Sequence, residues 1–218
     1  AALAQLCRDG PYQHAKGRLS MRAVKLYADG ALGSRGAALL ADYDDDAGNR
    51  GLLIQSPEQL NKLIARAADC GIQPAVHAIG DRANRAVLDA FAALSAQQRA
   101  QLRPRIEHAQ VVAPEDISRF AQLGVIASMQ PTHATSDMPW AQARIGAQRL
   151  RGAYAWRRFM DQGVHIALGS DFPVERVQPL LGIYAAVTRQ DAKGEPKGGW
   201  LPDQKLTLME TLDGFTRG

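Results

Sequence analysis

Cysteine is scarce in this 218-residue sequence, which contains only Cys7 and Cys70 and no CxxC pair. The count indicates neither a disulfide framework nor a cysteine-based zinc site, and Cys70, at the end of a helical pattern, is predicted to be a core residue. Two unpaired thiols suit a reducing cytoplasm, which we take as the default compartment, while a periplasmic enzyme can carry them too. The cysteines therefore leave the localisation open.

Long apolar runs and basic clusters are also missing. No stretch approaches the roughly 20 apolar residues of a membrane span, and the first residues lack a basic region followed by an apolar run. Lys and Arg are scattered singly despite a formal net charge of +4, and the densest charge run, at residues 42–46, is acidic. No GxGxxG sequence follows a predicted strand. We therefore expect no membrane partner, no nucleic-acid partner and no bound dinucleotide.

What the sequence does contain is the composition of a globular protein, with 46% hydrophobic and 22% charged residues. Its length predicts one large domain or at most two. The sequence begins without methionine inside a predicted helix at residues 1–8, and it stops while a helical pattern at residues 208–216 is still running. We therefore expect it to be part of a longer chain.

Five short apolar segments alternate with helical patterns along the chain. The strands are predicted at residues 21–27, 72–77, 105–108, 125–130 and 164–169. The helices are predicted at residues 57–70, 81–94, 114–124, 149–162 and 180–189 and from residue 207 onwards, and residues 30–56 are predicted to be a long loop. Because parallel neighbours need crossover connections, the alternation predicts an α/β fold with a parallel sheet. A closed (β/α)8 barrel and an open doubly wound sheet are the two candidate architectures.

Side chains that can bind a metal or take part in catalysis fall at the strand ends, which favours the barrel. Lys25 lies in the first predicted strand, and His77, His108 and Asp171 lie at the carboxyl ends of three others. Barrel enzymes gather their catalytic residues at that face. Two imidazoles and a carboxylate suit zinc or a related divalent ion. For either histidine alone a hydrogen-bonded strand-end residue is the ordinary interpretation, but three such positions together favour a metal site.

Four motifs carry a family resemblance. They occupy residues 24–35, 77–81, 106–110 and 169–174 and read VKLYADGALGSR, HAIGD, IEHAQ and GSDFPV. In this order they resemble the YtcJ-like branch of the amidohydrolase superfamily, also called amidohydrolase family 3. The resemblance implies a (β/α)8 TIM-barrel-type hydrolase. Residues 1–218 would then form a partial barrel catalytic domain, strands four to eight with their helices. The first three strands, with their His-x-His pair, and a small β-domain would lie outside this sequence, which contains no His-x-His.

The resemblance also implies roles for individual residues. The family holds one or two divalent ions, usually zinc. Lys25 would be the lysine whose amine is carboxylated by carbon dioxide, so that its carbamate bridges the two metals; an unmodified lysine has no acceptor atom. His77 and His108 would bind the second metal. Asp171 would contact the first metal and, as the catalytic residue, accept the proton of the attacking water.

Three further residues are expected to contact substrate. Asp29 and Arg35 match the Asp-Gly and Ser-Arg positions of the family and would orient the substrate, although a turn aspartate and a surface arginine are equally ordinary. His133 follows a strand end near the expected mouth of the pocket, where substrate contact competes with a solvated loop histidine.

The resulting hypothesis is a metal-dependent hydrolase that cleaves a non-peptide carbon-nitrogen bond of a small N-acyl or N-formyl compound. The expected partners are this small molecule and a second copy of the chain, because a partial barrel exposes sheet edges. One alternative is a non-catalytic binding or regulatory module built on the same barrel. Another is ester hydrolysis or deamination, which the residue types at the metal do not separate from amide hydrolysis.

Overall fold

The protein is described by a computed structural model that covers residues 2–218. The helices and strands of this part of the chain follow one another as α1 (Ala2–Asp9), β1 (Tyr12–Gln13), β2 (Ser20–Met21), β3 (Ala23–Tyr27), α2 (Pro57–Asp69), β4 (Gln73–Ala78), α3 (Asp81–Ala92), α4 (Ala96–Leu102), β5 (Arg105–His108), α5 (Pro114–Leu123), β6 (Ile126–Met129), α6 (Pro131–Asp137), α7 (Ala141–Arg149), α8 (Trp156–Asp161), β7 (Ile166–Leu168), α9 (Pro179–Thr188) and α10 (Leu208–Thr216). The helix predicted at residues 1–8 is confirmed from residue 2 onwards, and residue 1 lies outside the described residues.

β3 to β7 form one parallel sheet in which each strand lies beside the next strand of the chain. β1 and β2 pair separately as a short antiparallel hairpin. Consecutive parallel neighbours joined by helical crossovers are the arrangement of a (β/α)-barrel wall. The order of the strands therefore confirms the predicted α/β fold, and the five predicted strands are the five strands of this sheet.

The core lies between the sheet and the helices that cover one of its faces. Val76, Ile106 and Ala127 of three neighbouring strands belong to the same buried cluster as Leu88 of α3 and Phe120 of α5. Branched and aromatic side chains between a sheet and its crossover helices stabilise the fold mainly by removing apolar surface from water. This packing fixes the strand ends, where the candidate functional residues lie.

α2 shows how local sequence sets the bounds of a helix. The Ser56 side chain accepts a hydrogen bond from the backbone of Gln59, the Gln59 side chain accepts one from the backbone of Ser56, and Pro57 occupies the first turn. These capping contacts satisfy backbone groups that have no partner inside the helix. Gly71 follows the helix with a φ of 69°, a conformation that glycine adopts without steric cost. The predicted helix is therefore confirmed.

The single helix predicted at residues 149–162 is wrong. The chain instead ends α7, makes a short 3₁₀ turn over Leu150–Gly152 and resumes as α8. Gly152 explains the break, because a Cβ built on it would lie 1.8 Å from the carbonyl oxygen of Val112. The backbone N–H of Tyr154 also donates to the Gln110 carbonyl. This close approach to the segment after β5 takes precedence over local helix propensity.

The prediction of two unpaired cysteines is also wrong. Cys7 of α1 and Cys70, at the end of α2, form a disulfide whose Cα atoms are 5.2 Å apart. Leu3 of α1 packs against Ala67 and Ile72, which brings the two helices together. The cysteines are 63 residues apart in sequence. Only the tertiary packing of α1 on α2 makes them neighbours.

The long loop at residues 30–56 is present as predicted and lies against α7. The Arg144 guanidinium donates to the carbonyl of Gly33 at 3.3 Å and pairs with Asp45 of the acidic run. Arg149 donates to two backbone carbonyls of the same loop. The acidic run therefore forms intramolecular ion pairs, which help to hold the loop beside the strand ends. In residues 2–218, no helix has the length and apolar character to cross a membrane.

Candidate metal and substrate site

A pocket of about 460 Å³ opens at the carboxyl ends of the sheet strands. It brings together Lys25, His77, His108, His133 and Asp171. The other lining residues are Tyr27, Ala31, Leu32, Gly33, Ile79, Gln110, Asp137, Trp140, Val174 and Glu175. The four residues that the sequence analysis proposed as metal ligands therefore share one pocket, and His133, expected near substrate, lies in it with them.

Three of these side chains form a group that suits a metal ion. His108, His133 and Asp171 each offer one ligand atom, and these atoms all lie within 4.8 Å of one another. The His108 and His133 rings are stacked with their centres 5.6 Å apart, and Nε2 of His133 is 3.6 Å from a carboxylate oxygen of Asp171. Nitrogen and oxygen donors in this number are typical of a catalytic zinc site, which keeps a further position for water or substrate.

His77 and Lys25 border this group. The His77 ring meets the His108 ring edge-on, with their centres 4.6 Å apart, and its Nε2 is 3.5 Å from Oδ1 of Asp29. The Lys25 side chain is exposed, and its Nζ lies 5.2 Å from the ring centre of Tyr27. His77 is therefore beside the three-residue group without being part of it, and Lys25 lines the same pocket.

The backbone turns two of the candidate ligands into the pocket. In the β4–β5 register Ala78 pairs with His108, so regular alternation would put His77 and His108 on opposite faces of the sheet. His108 instead has a φ of 78° and the next residue, Ala109, a φ of 42°; Asp171 has a φ of 57°. Non-glycine residues in this region cost about 1–3 kcal/mol each and cluster at functional sites.

Burial keeps the imidazoles of the pocket neutral. Burial, followed by the electrostatic influence of the neighbouring His77 and His133, lowers the pKa of His108 to about 3. The pKa values of His77 and His133 are also lowered, in both cases mainly by burial. A metal-ligating histidine must be neutral, so these pKa shifts favour ligation at neutral pH.

The same histidines provide a direct test of whether the residues fit a metal. Nε2 of His77 and Nε2 of His133 are both buried, and neither has a hydrogen-bond partner among residues 2–218. A buried polar atom without a partner is costly, and a ligand that uses its lone pair removes that cost. The donor set and the two unpaired nitrogens therefore fit a divalent ion.

The structure places Asp29 outside the lining of the pocket, and its expected contact with substrate stays a prediction. Asp29 is fully buried, and its carboxylate accepts hydrogen bonds from the backbone N–H groups of Ala38, Ile79 and Gly80. Burial raises the pKa of Asp29 to about 7, although the three backbone donors act in the opposite direction. Asp29 therefore lies beneath the pocket and joins the long loop to the segment after β4.

Arg35 also lies outside the lining of the pocket, and its expected contact with substrate stays a prediction. The Arg35 guanidinium pairs with Asp45 at 3.0 Å and with Asp46 at 3.7 Å, and its side chain does not line the pocket. The physical reason is the acidic run of the same loop, which supplies carboxylates close to the arginine. Arg35 therefore helps to organise the loop.

Besides His133, Asp137 of α6 and Gln110 complete the pocket, and neither was expected there from the sequence. Asp137 accepts hydrogen bonds from the Tyr154 hydroxyl at 2.6 Å and from the Gln110 side chain at 2.9 Å. Burial raises the pKa of Asp137 to about 6. Gln130 contacts the His108 ring. Pro131, a residue suited to the first turn of a helix, was the available signal for α6.

A wall of consecutive parallel strands that carries histidines and an aspartate at its carboxyl edge defines the class of metal-dependent (β/α)-barrel hydrolases. The sequence profile of the amidohydrolase family matches residues 4–218. The chain belongs to the amidohydrolase family.

Individual relatives agree with this assignment. The putative amidohydrolase YtcJ of Bacillus subtilis is 36% identical over 209 residues, which are 96% of this chain and 38% of that protein. N-substituted formamide deformylase of Arthrobacter pascens is 29% identical over 198 residues, which are 89% of this chain and 35% of that protein. An uncharacterized metal-dependent hydrolase from Pyrococcus horikoshii has a similar structure, with a TM-score of 0.87 and 33% identity over 99% of this chain and 43% of that one. The chain thus spans well under half the length of these relatives.

Proposed function

We propose that the protein is a metal-dependent hydrolase that cleaves the carbon-nitrogen bond of a small N-acyl or N-formyl compound. The observation that carries this proposal is the group of His108, His133 and Asp171 in the pocket at the strand ends. Membership of the amidohydrolase family supports hydrolysis. Similarity to N-substituted formamide deformylase supports a formyl amide as the substrate.

The metal we propose is zinc, held by His108, His133 and Asp171. A second ion would use Nε2 of His77 together with Lys25, once the lysine amine is carboxylated and its positive charge is replaced by acceptor oxygens. When bound, zinc lowers the pKa of water to about 7 and polarises a carbonyl oxygen.

Asp171 is the proton carrier of the proposed reaction. Its carboxylate lines the pocket and is about one-third exposed there, so it can reach both the attacking water and the substrate. It accepts the proton that the water loses as the oxygen attacks the carbonyl carbon, and it returns a proton to the nitrogen of the leaving amine. The products are a carboxylate, formate in the case of a formyl amide, and the free amine.

The remaining walls of the pocket hold the substrate. Leu32, Ile79, Trp140 and Val174 supply apolar surface, and the volume of about 460 Å³ suits a small molecule. The loop that carries Leu32 is fixed by the contacts of Arg144 described above. The wall should therefore exclude water without a large movement of the loop.

The test is hydrolysis of a simple formyl amide by the zinc-loaded protein. We expect formanilide to yield formate and aniline, and we expect Asp171→Asn to lower turnover per bound zinc by about 100-fold or more, because general acid-base catalysis contributes about 10²–10⁴. Formate release and zinc content would be measured on the same samples.

The matched control is Asp203→Asn, which removes an exposed carboxylate outside the pocket and should retain wild-type turnover. Wild-type turnover in Asp171→Asn would contradict the role of Asp171. Hydrolysis of an ester such as phenyl acetate without hydrolysis of formanilide would replace the amide by the ester as substrate class. Zinc-loaded protein inactive on both would contradict the proposed reaction.

We also propose that the protein works in an oxidising compartment such as the periplasm. The support is the Cys7–Cys70 disulfide, a cross-link that persists in oxidising compartments and is rare in the cytoplasm. The test is to quantify the free thiols of protein isolated from its native compartment under alkylating conditions. We expect no free thiols, and two free thiols per chain would contradict this proposal and favour the cytoplasm.

A further inference from the structure

Gln130 is the residue that links two members of the three-residue metal group. It directly follows β6 and precedes α6, and its side chain is almost fully buried. Oε1 of Gln130 lies 2.8 Å from Nδ1 of His108, and Nε2 of Gln130 donates to the Ser128 carbonyl at 3.2 Å. The backbone carbonyl of Gln130 accepts the N–H of His133 at 3.1 Å.

These contacts determine where the proton of the His108 ring must be. The Ser128 carbonyl can only accept, so the Gln130 amide group must face it with its nitrogen and must face His108 with its oxygen. An amide oxygen is also only an acceptor, so Nδ1 of His108 must donate. A neutral imidazole has one proton, which leaves the lone pair on Nε2.

We propose that Gln130 is a positioning residue that holds His108 as its Nδ1–H tautomer and thereby makes Nε2 the metal ligand. Metal-binding histidines commonly donate their second ring N–H to a carbonyl or carboxylate partner, which fixes the ring and raises its basicity as a ligand. Gln130 also fixes the start of α6, on which His133 lies, through its backbone. Its metal-related role rests on the proposed function, but the tautomer of His108 does not.

The tautomer is tested in the wild-type protein without metal. In protein labelled with ¹⁵N-histidine, two-dimensional NMR distinguishes a protonated ring nitrogen from an unprotonated one. We expect the His108 signals, assigned by their loss in His108→Ala, to show a protonated Nδ1 and an unprotonated Nε2. A protonated Nε2 with a free Nδ1 would overturn the proposal whatever the metal does.

The consequence for the metal is tested by competition between the protein and a chromophoric zinc chelator. Gln130→Leu removes the acceptor at similar size and should weaken zinc binding about 10–100-fold. Gln130→Glu retains an acceptor oxygen and should restore most of the affinity. The matched control is Thr132→Val. Like Gln130, Thr132 is 9% exposed, but its hydroxyl oxygen has no hydrogen-bond partner in the described part of the chain. The Thr132→Val variant should therefore bind zinc with the affinity of the wild type.

The outcomes separate the two proposals. Wild-type zinc affinity in Gln130→Leu, with thermal unfolding showing a folded variant, would overturn the positioning role. If wild-type protein with the expected tautomer binds no zinc, the proposed metal function fails, the positioning role toward the metal fails with it, and the tautomer assignment stands. If Gln130→Leu does not fold, the wild-type NMR measurement and the affinity of Gln130→Glu relative to the Thr132→Val control decide.

Discussion

At the scale of single residues, the site combines neutral imidazoles, a carboxylate and backbone turns that direct them. His77, His108 and His133 are held neutral mainly by burial, and two of the candidate ligands, His108 and Asp171, have positive φ values. These features cost free energy in the absence of a ligand. A bound cation that uses the buried nitrogens recovers part of this cost, which is the physical reason to connect them with function.

Asp29 stabilises the segments that lie beneath the pocket. We predict that Asp29→Ala lowers the free energy of unfolding by about 3 kcal/mol or more, because it leaves the buried backbone N–H groups of Ala38, Ile79 and Gly80 without their acceptor. Urea denaturation of wild type and variant measures the difference. The control is Asp203→Ala, an exposed position expected to stay within about 0.5 kcal/mol of wild type. Equal stability of Asp29→Ala and wild type would refute the anchoring role.

The position of the candidate residues at the strand ends could be predicted from the sequence, whereas their metal-binding roles stay predictions. Lys25, His77, His108 and Asp171 were expected to meet because the carboxyl ends of parallel strands lie at one edge, and they do share a pocket. This reasoning does not apply to Asp29. It lies two residues beyond β3, where its direction depends on backbone donors from elsewhere in the chain.

At the scale of elements, helix caps and hydrophobic periodicity were sufficient to predict helices such as α2. They were insufficient where tertiary packing decides the local structure. α6 and all of α7 except its last residue were not predicted, and the helix predicted at residues 149–162 is divided by the contact of Gly152 with the Val112 carbonyl. That contact joins segments 40 residues apart, and no local pattern encodes it. Because α6 was not predicted, the roles of Gln130, which precedes it, and of Asp137, its last residue, were not predicted either.

The attachment of α1 to α2 gives a prediction at this scale. The disulfide closes a loop of 63 residues, for which loss of chain entropy in the unfolded state predicts a stabilisation of about 4 kcal/mol. We expect Cys7→Ser combined with Cys70→Ser to lower the free energy of unfolding by about 2–4 kcal/mol. Denaturant unfolding with and without dithiothreitol measures it.

The reductant supplies the internal control for this experiment. Wild type should lose stability in dithiothreitol and approach the double variant, whereas the double variant should be unchanged by reductant. Wild-type protein whose stability is insensitive to dithiothreitol would show that the cross-link does not contribute as predicted.

At the scale of the whole molecule, the chain provides one continuous wall of a barrel. β3 and β7 are the two ends of the described sheet. Apolar side chains are exposed near both, with Met21 and Tyr27 at one end and Phe172 and Val174 at the other. Such surfaces favour association with further protein. The homo-oligomer expected from the sequence remains a prediction.

The central claim is that this wall holds a catalytic metal at the strand ends, and the most direct measurement is anomalous X-ray diffraction at the zinc absorption edge from crystals grown with zinc. The account predicts an anomalous peak at about 2.0–2.2 Å from Nε2 of His108, from a ring nitrogen of His133 and from a carboxylate oxygen of Asp171. A bound zinc located away from these three residues, or no anomalous peak at them in zinc-saturated crystals, would contradict it.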